Sequence, residues 1–254
     1  MCKILYEDNH LLVVEKPPGM LIQGDRTGDD CLVECMKRYI GQKYRKPGTV
    51  FLGLVHRMDR PVGGLVAIAR TSKAAARLSE QLREHTMERE YLAVVHGGSM
   101  PDTGRLTDIL TLDTKSGNMR VVAPDFGDPF AFGGLEADKN SKHSKYPPRQ
   151  QAILRFTVLL RDQIKSRTLV HVQLETGRKH QIRIQLAHMG HPIVQDMRYG
   201  HGEAGEHIAL WGAAIRLIHP TLRKSMVFAS RPRGNAFERF GREIDAFLTR
   251  LTQE

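Results

Sequence analysis

Two rhythms of apolar residues run along this chain, and they separate strands from helices. Val170, Val172 and Leu174 alternate with His171, Gln173 and Glu175, the period-two pattern of a strand with one buried face. Phe51-Leu52-Gly53-Leu54-Val55 and Leu65-Val66-Ala67-Ile68-Ala69 are nearly unbroken apolar runs, which predicts buried strands. Further strands are predicted at Ile4 to Tyr6, Leu11 to Glu15, Tyr91 to His96, Ala152 to Leu160 and Leu169 to Leu174. Helical spacing appears at Ala75, Leu78 and Leu82, predicting a helix from about Ser72 to Glu84 capped by Thr71 or Ser72. A second helix is predicted from about Asp30 to Ile40. A third follows Gly177, with Ile182, Leu186 and Met189 at helical spacing and Gly190, before His191-Pro192, as its stop. Helices interrupt the strands without regular alternation, so the pattern predicts an α+β fold rather than a doubly wound sheet. No internal repeat is evident.

Length and charge narrow the picture. A chain of 254 residues with 41% hydrophobic residues can bury one extended core, and a single domain over residues 1–254 is expected. Lys and Arg number 38 against 28 Asp and Glu, a formal net charge of +10. Such an excess is the footprint of a polyanion binder, although solubility alone also accounts for it. The stretch from about Asp125 to Arg149 is rich in Gly, Pro and polar residues and carries Lys139, Lys142, His143 and Lys145. A loop of that length within a compact domain is functional or disordered, and a flexible basic arm is expected here.

The three cysteines, Cys2, Cys31 and Cys35, are too few for a disulfide framework and lack the second thiol pair of a zinc site, so packing is their expected role. The amino-terminal residues have no signal-like apolar core and no later run is long enough to span a bilayer. A soluble cytoplasmic protein without membrane contact is expected.

Candidate chemistry concentrates in two places. His56-Arg57-Met58-Asp59-Arg60 sets one acid among cations between two buried-strand patterns, which puts Asp59 on a short connection held by a scaffold. Cations beside a carboxylate favour its charged form, which suits a nucleophile or base. The same residues before Pro61 also describe an ordinary solvated turn. Thr176 to Pro192 reads as strand end, turn and basic helix, with Arg178, Lys179 and Arg183 in the first helical turns. Cations there oppose the helix dipole by roughly 0.3 to 1 kcal/mol each, so an anion is expected to meet them, either phosphate or the Asp59 carboxylate.

In order along the chain, His56-Arg57-Met58-Asp59-Arg60-Pro61-Val62-Gly63-Gly64-Leu65, Arg89-Glu90-Tyr91-Leu92-Ala93-Val94-Val95, Gly177-Arg178-Lys179-His180-Gln181-Ile182-Arg183 and Gly190-His191-Pro192-Ile193 resemble the RluA-type pseudouridine synthases. The resemblance continues into His207 to Trp211 and Ile218 to Thr221. Met58 stands where leucine is usual, and Val62-Gly63 replaces the commoner Thr-Ser. The resemblance implies one catalytic domain on a mixed, mainly antiparallel sheet, with no S4-type module before the strand at Ile4.

It implies an RNA pseudouridine synthase that needs no cofactor and acts on structured RNA, either ribosomal or transfer RNA, with a monomer expected. Asp59 would be the catalytic carboxylate, acting at the sugar as nucleophile or as base at C2′, with Arg183 paired to it and Tyr91 stacked on the extracted uracil. Arg57 would fill the gap left by that nucleotide. His56, Arg60, Arg178, Lys179 and His180 complete the expected substrate-binding set, with His56 supporting its loop and assigned no chemistry. Each has a plainer alternative: a strand aromatic for Tyr91, a phosphate contact for Arg57, a solvated helix face for Arg183.

Two rivals come from other classes. A basic RNA-binding protein without catalysis would use the same surface. A metal-dependent nuclease is suggested by His180, His188, His191 and Asp196, close enough in sequence to share one ion; no metal site is expected on the preferred reading.

Overall fold

A computed structural model describes residues 2–45, 47–122, 148–202, 205 and 207–253. The basic stretch expected at 125–149, with Lys139, Lys142, His143 and Lys145, lies outside the described residues except for Pro148 and Arg149. Eleven strands form one sheet: β1 (Lys3–Glu7), β2 (Leu11–Lys16), β3 (Gly53–Leu54), β4 (Gly63–Ala69), β5 (Glu88–His96), β6 (Thr103–Leu112), β7 (Met119–Val122), β8 (Gln150–Asp162), β9 (Arg167–Leu174), β10 (Leu210–Ile218) and β11 (Ser225–Ala229). The path runs β1-β2-β4-β10-β5-β9-β8-β6-β7, with β3 pairing β4 and β11 pairing β10. Among the described strands only β4 and β10 pair in parallel, through Trp211 opposite Gly63 and Gly212 opposite Gly64. With α1 (Leu32–Lys43), α2 (Ser72–Arg83), α3 (Gln181–His188) and α4 (Gly241–Gln253), the fold is α+β on a mixed, mainly antiparallel sheet.

The unbroken apolar runs have a direct cause. Leu12 and Val14 of β2, with Val66 and Ile68 of β4, pack against Leu32 and Met36 of α1. Their alternates Leu11, Val13, Leu65 and Ala67 pack on the other face with Ala74 and Leu78 of α2. Two buried faces leave no polar alternation to see. The larger core lies around β5, β9 and β10, where Leu92, Val94, Val170 and Leu210 meet Phe240, Ile244 and Phe247 from the carboxy-terminal segment.

Helix ends follow local chemistry. The Thr71 side chain caps α2 by accepting from the Ala74 amide at 3.1 Å. At the end of α3, Gly190 has φ +87°; its amide reaches the Ala187 carbonyl and the His191 amide reaches Leu186, a Schellman closure. The start of α3 corrects one expectation. Arg178 and Lys179 precede the helix in the turn from Thr176, and His180 is its N-cap in the left-handed region at φ +54°. Arg183 alone of the three cations lies in the first turn, so the dipole argument applies to it alone. Among the described residues no helix is long and apolar enough to cross a membrane.

Candidate active site

Asp59 lies in the turn between β3 and β4, which the Val62 amide closes onto the Asp59 carbonyl at 3.1 Å. Two features of the surrounding backbone hold this turn in place. The Lys16 side chain is fully buried and its Nζ donates to the carbonyls of Pro17, Met20 and Arg60 at 3.1, 2.8 and 3.0 Å. Three carbonyls match the three protons of an ammonium, while burial pulls the Lys16 pKa down to about 7. The Lys16-Pro17-Pro18-Gly19 turn is thus stapled to the residue after Asp59. On the other side, β4 begins in contact with β10: a Cβ on Gly64 would lie 2.4 Å from the Gly212 backbone, and one on Gly63 would lie 2.2 Å from the Trp211 ring. The Trp211 indole fills the space that a serine at position 63 would need.

Arg183 reaches Asp59 from α3. Its Nη1 donates to Asp59 Oδ2 at 3.0 Å, and its Nε and Nη2 donate to Asp196 at 2.8 and 2.7 Å. One guanidinium therefore bridges a partly open carboxylate, 22% exposed at Asp59, and a closed one, 0% at Asp196. Asp196 also accepts from the amides of Arg198 and Tyr199, and its pKa is lowered by the Arg183 contacts and these amides although burial opposes them. The Tyr199 ring lies under the guanidinium, 5.2 Å from centroid to Cζ. A fork fixed on three sides can present its remaining N–H to Asp59 in one direction only.

His180 faces the other oxygen of Asp59, with Nε2 3.8 Å from Oδ1. Burial pulls its pKa down to about 4, with Arg183, Lys179 and Arg198 adding to that against Asp59, so the ring is neutral at pH 7. Its Nδ1 is 2.8 Å from the Tyr199 hydroxyl, which already accepts from the Met119 amide at 2.9 Å. The hydroxyl oxygen keeps a second lone pair and its own proton, so it bonds Nδ1 in either tautomer, and the contact holds the ring with Nε2 toward Asp59.

These groups border a cleft of about 890 Å³ whose lining includes Asp59, Tyr91, His180 and Arg183. Tyr91 is buried on β5; burial, chiefly, raises its hydroxyl pKa, so it stays protonated. Arg57 and Lys179 are exposed and line the cleft, as does Arg178, whose Nε is held by the Gln151 carbonyl at 2.9 Å. His56 is buried in the lining and accepts from the Ala67 amide through Nε2 at 3.0 Å. Arg60 turns away from the cleft to the Gly19 carbonyl at 3.0 Å and the Asp29 carboxylate at 2.7 Å.

Sequence reasoning missed several participants. Arg83 and His85, at and after the end of α2, line the same cleft, as does Arg89 at the start of β5, a motif residue to which sequence reasoning gave no role. Asp196 and Tyr199 act as supports of Arg183 and His180; the signal available was that a buried arginine with one open carboxylate needs a second partner. The metal cluster suggested by sequence spacing is not assembled. Asp196 is taken by Arg183, His180 by Tyr199, and His191 Nδ1 contacts the His96 carbonyl at 3.0 Å. Among the described residues no three His, Cys, Asp or Glu side chains gather to hold an ion.

The sequence model of the family described as RNA pseudouridylate synthase matches residues 10–188. The ribosomal large subunit pseudouridine synthase C of Yersinia pestis is 31% identical over 231 residues, covering 88% of this chain and 63% of that protein. Its namesake in Buchnera aphidicola subsp. Acyrthosiphon pisum is 29% identical over 228 residues, covering 86% of this chain and 63% of the relative. The chain thus spans less than two thirds of the length of these relatives. The solved structure of human RNA pseudouridylate synthase domain containing 4 shares the fold with a TM-score of 0.66 at 20% identity, over 97% of this chain and 92% of that one.

Proposed function

The chain belongs to the RNA pseudouridylate synthase family, and on that footing we propose that it isomerises uridines in structured RNA, ribosomal or transfer RNA, with Asp59 as the catalytic carboxylate. The observation that carries this reading is the Asp59 side chain, partly open to a basic cleft and held through one oxygen by Arg183. The reaction breaks the bond from ribose C1′ to N1, turns the uracil over and joins C1′ to C5. The C5 proton is lost and N1 takes one up, so no electron acceptor or phosphoryl donor enters the balance.

Asp59 serves at the sugar, by attack at C1′ or by taking the C2′ proton; both routes use an oxygen that Arg183 leaves free. Tyr91, two-sided between core and cleft, is the surface on which the detached base is retained. An everted nucleotide leaves a gap in its stack, and exposed Arg57 at the cleft is placed to fill it. Arg178 and Lys179 meet the strand backbone, and neutral His180 steadies the second Asp59 oxygen. The protein is expected to act as a monomer in the cytoplasm.

Incubation with transcripts of large-subunit ribosomal RNA and of transfer RNA, followed by carbodiimide mapping of pseudouridine, tests the reading. Isomerisation is expected with the natural chain, and Asp59→Ala is expected to lower it by about 10³-fold or more with RNA affinity kept. A natural chain that binds these transcripts without altering any uridine would make it a binding protein instead.

A further inference from the structure

We infer that Arg89 seats a backbone phosphate of the RNA strand next to the everted nucleotide. This rests on the RNA-modifying reading and gives a role to Arg89, which the motif match left without one. Arg89 and Tyr91 are two apart on β5 and both line the cleft, so their side chains share a face of the strand. The Arg89 guanidinium lies against the Thr176–Gly177 turn, where a Cβ on Gly177 would be 2.8 Å from Nη1. Glycine at that position leaves the fork its space.

The charge of this fork is uncompensated. Its Nε is sealed from solvent without an acceptor, and Arg89 makes no hydrogen bond or ion pair among the described residues. The carboxylates beside it in sequence or in the cleft are all engaged. Glu88 pairs with Arg216 at 3.3 Å and Glu90 lies 2.7 Å from His171 Nε2. Glu175 is shared by Arg105 and Arg155 at 2.8 and 2.7 Å, which hold its pKa down at about 2. Asp59 pairs with Arg183.

A half-buried cation with its Nε–H sealed and unpaired is unfavourable unless an anion meets the fork through Nη1 and Nη2, and the neighbouring lining residues Arg57, Arg83 and Lys179 only add positive charge. The missing anion therefore comes from the ligand. A planar fork with paired donors matches two oxygens of a phosphodiester. From the start of β5 it would grip the strand while Tyr91, one pleat further on, meets the base.

The test is binding of a ten-nucleotide oligouridylate across a salt series. Arg89→Gln is expected to flatten the slope of log affinity against log salt by about 0.7, the share of one single-strand phosphate contact. Arg89→Lys, which keeps the charge, is expected to retain the slope while losing affinity. Lys165→Gln, exposed in the β8–β9 turn outside the cleft, is expected to leave the slope unchanged. An Arg89→Gln slope equal to that of the natural chain overturns the inference. So does an Arg89→Lys slope as flat as that of Arg89→Gln, which would mean that Arg89 only packs the turn. Isomerisation is not read in this measurement: a flattened slope in a chain that modifies no uridine keeps the phosphate seat and removes the activity, whereas an unchanged slope in an active chain does the reverse.

Discussion

At the scale of single residues, the site is a chain of supports ending at Asp59. Asp196 and the Tyr199 ring hold Arg183, Arg183 holds one Asp59 oxygen, and the Tyr199 hydroxyl anchors the His180 ring beside the other. Tyr199→Phe isolates the last link. It removes one hydroxyl, leaves the Met119 amide without its acceptor and frees the His180 ring, at an expected cost of about 1 kcal/mol. Activity is expected to fall more than this cost explains, while the melting curve keeps its shape. Activity equal to the natural chain's would show that the Tyr199–His180 contact has no part in the reaction. Motif residues Asp59, Arg183, His180 and Tyr91 were legible in the sequence because they stand in short motifs that resemble a known family. Tyr199 was not, because nothing in its local sequence distinguishes a support from an ordinary surface side chain, and Arg89, although inside a motif, had no role assigned to it.

At the scale of elements, the junction of β4 with β10 positions the Asp59 turn, and it tolerates no side chain at Gly64. That residue has φ +124° and backbone 2.4 Å from where a Cβ would sit. Gly64→Ala combines backbone strain with a clash that only strand separation relieves, and denaturant unfolding is expected to show a loss of about 2 kcal/mol or more. His56 ties the same turn to β4 by accepting from the Ala67 amide, which requires a neutral ring. Burial lowers its pKa from 6.5 to about 3. Between those values the unfolded chain binds a proton that the folded chain refuses, so stability is lost as pH falls from 6.5 toward 3 and this contribution is constant above 6.5. His56→Gln, which keeps an acceptor without titrating, is expected to show a shallower fall in acid; an identical pH profile in both proteins would remove His56 from the acid response.

Period and run length exposed β2, β4, β5, β8 and β9, and α2 to within a residue. β6, β7, β10, β11 and α4 were not named from sequence. In β6 the buried and exposed positions alternate only weakly, while β10 owes its place to pairing between β4 and β5, a long-range fact that no window reveals.

At the scale of the whole molecule, the net charge of +10 sets the character of binding. Affinity for a transfer RNA transcript is expected to fall steeply and linearly with log salt, since each phosphate neutralised releases counterions. The charge and Asp59 should separate cleanly. Asp59→Ala is expected to follow the same salt line as the natural chain, measured by filter binding, because the removed carboxylate contributes no phosphate contact. A markedly different slope would mean that Asp59 shapes the binding surface as well as the chemistry.

Sequence alone determined the kind of fold, because hydrophobic period is a local property of the chain, and its motifs in order carried the resemblance that singles out Asp59 as the proposed catalytic acid. Only the tertiary structure decided that Arg183 serves two carboxylates, that Lys16 staples a turn beside Asp59, and that Arg89 stands without a counter-charge. Those outcomes depend on groups brought together across many residues, where burial and hydrogen-bond partners are settled by packing and have no signature in the order of residues.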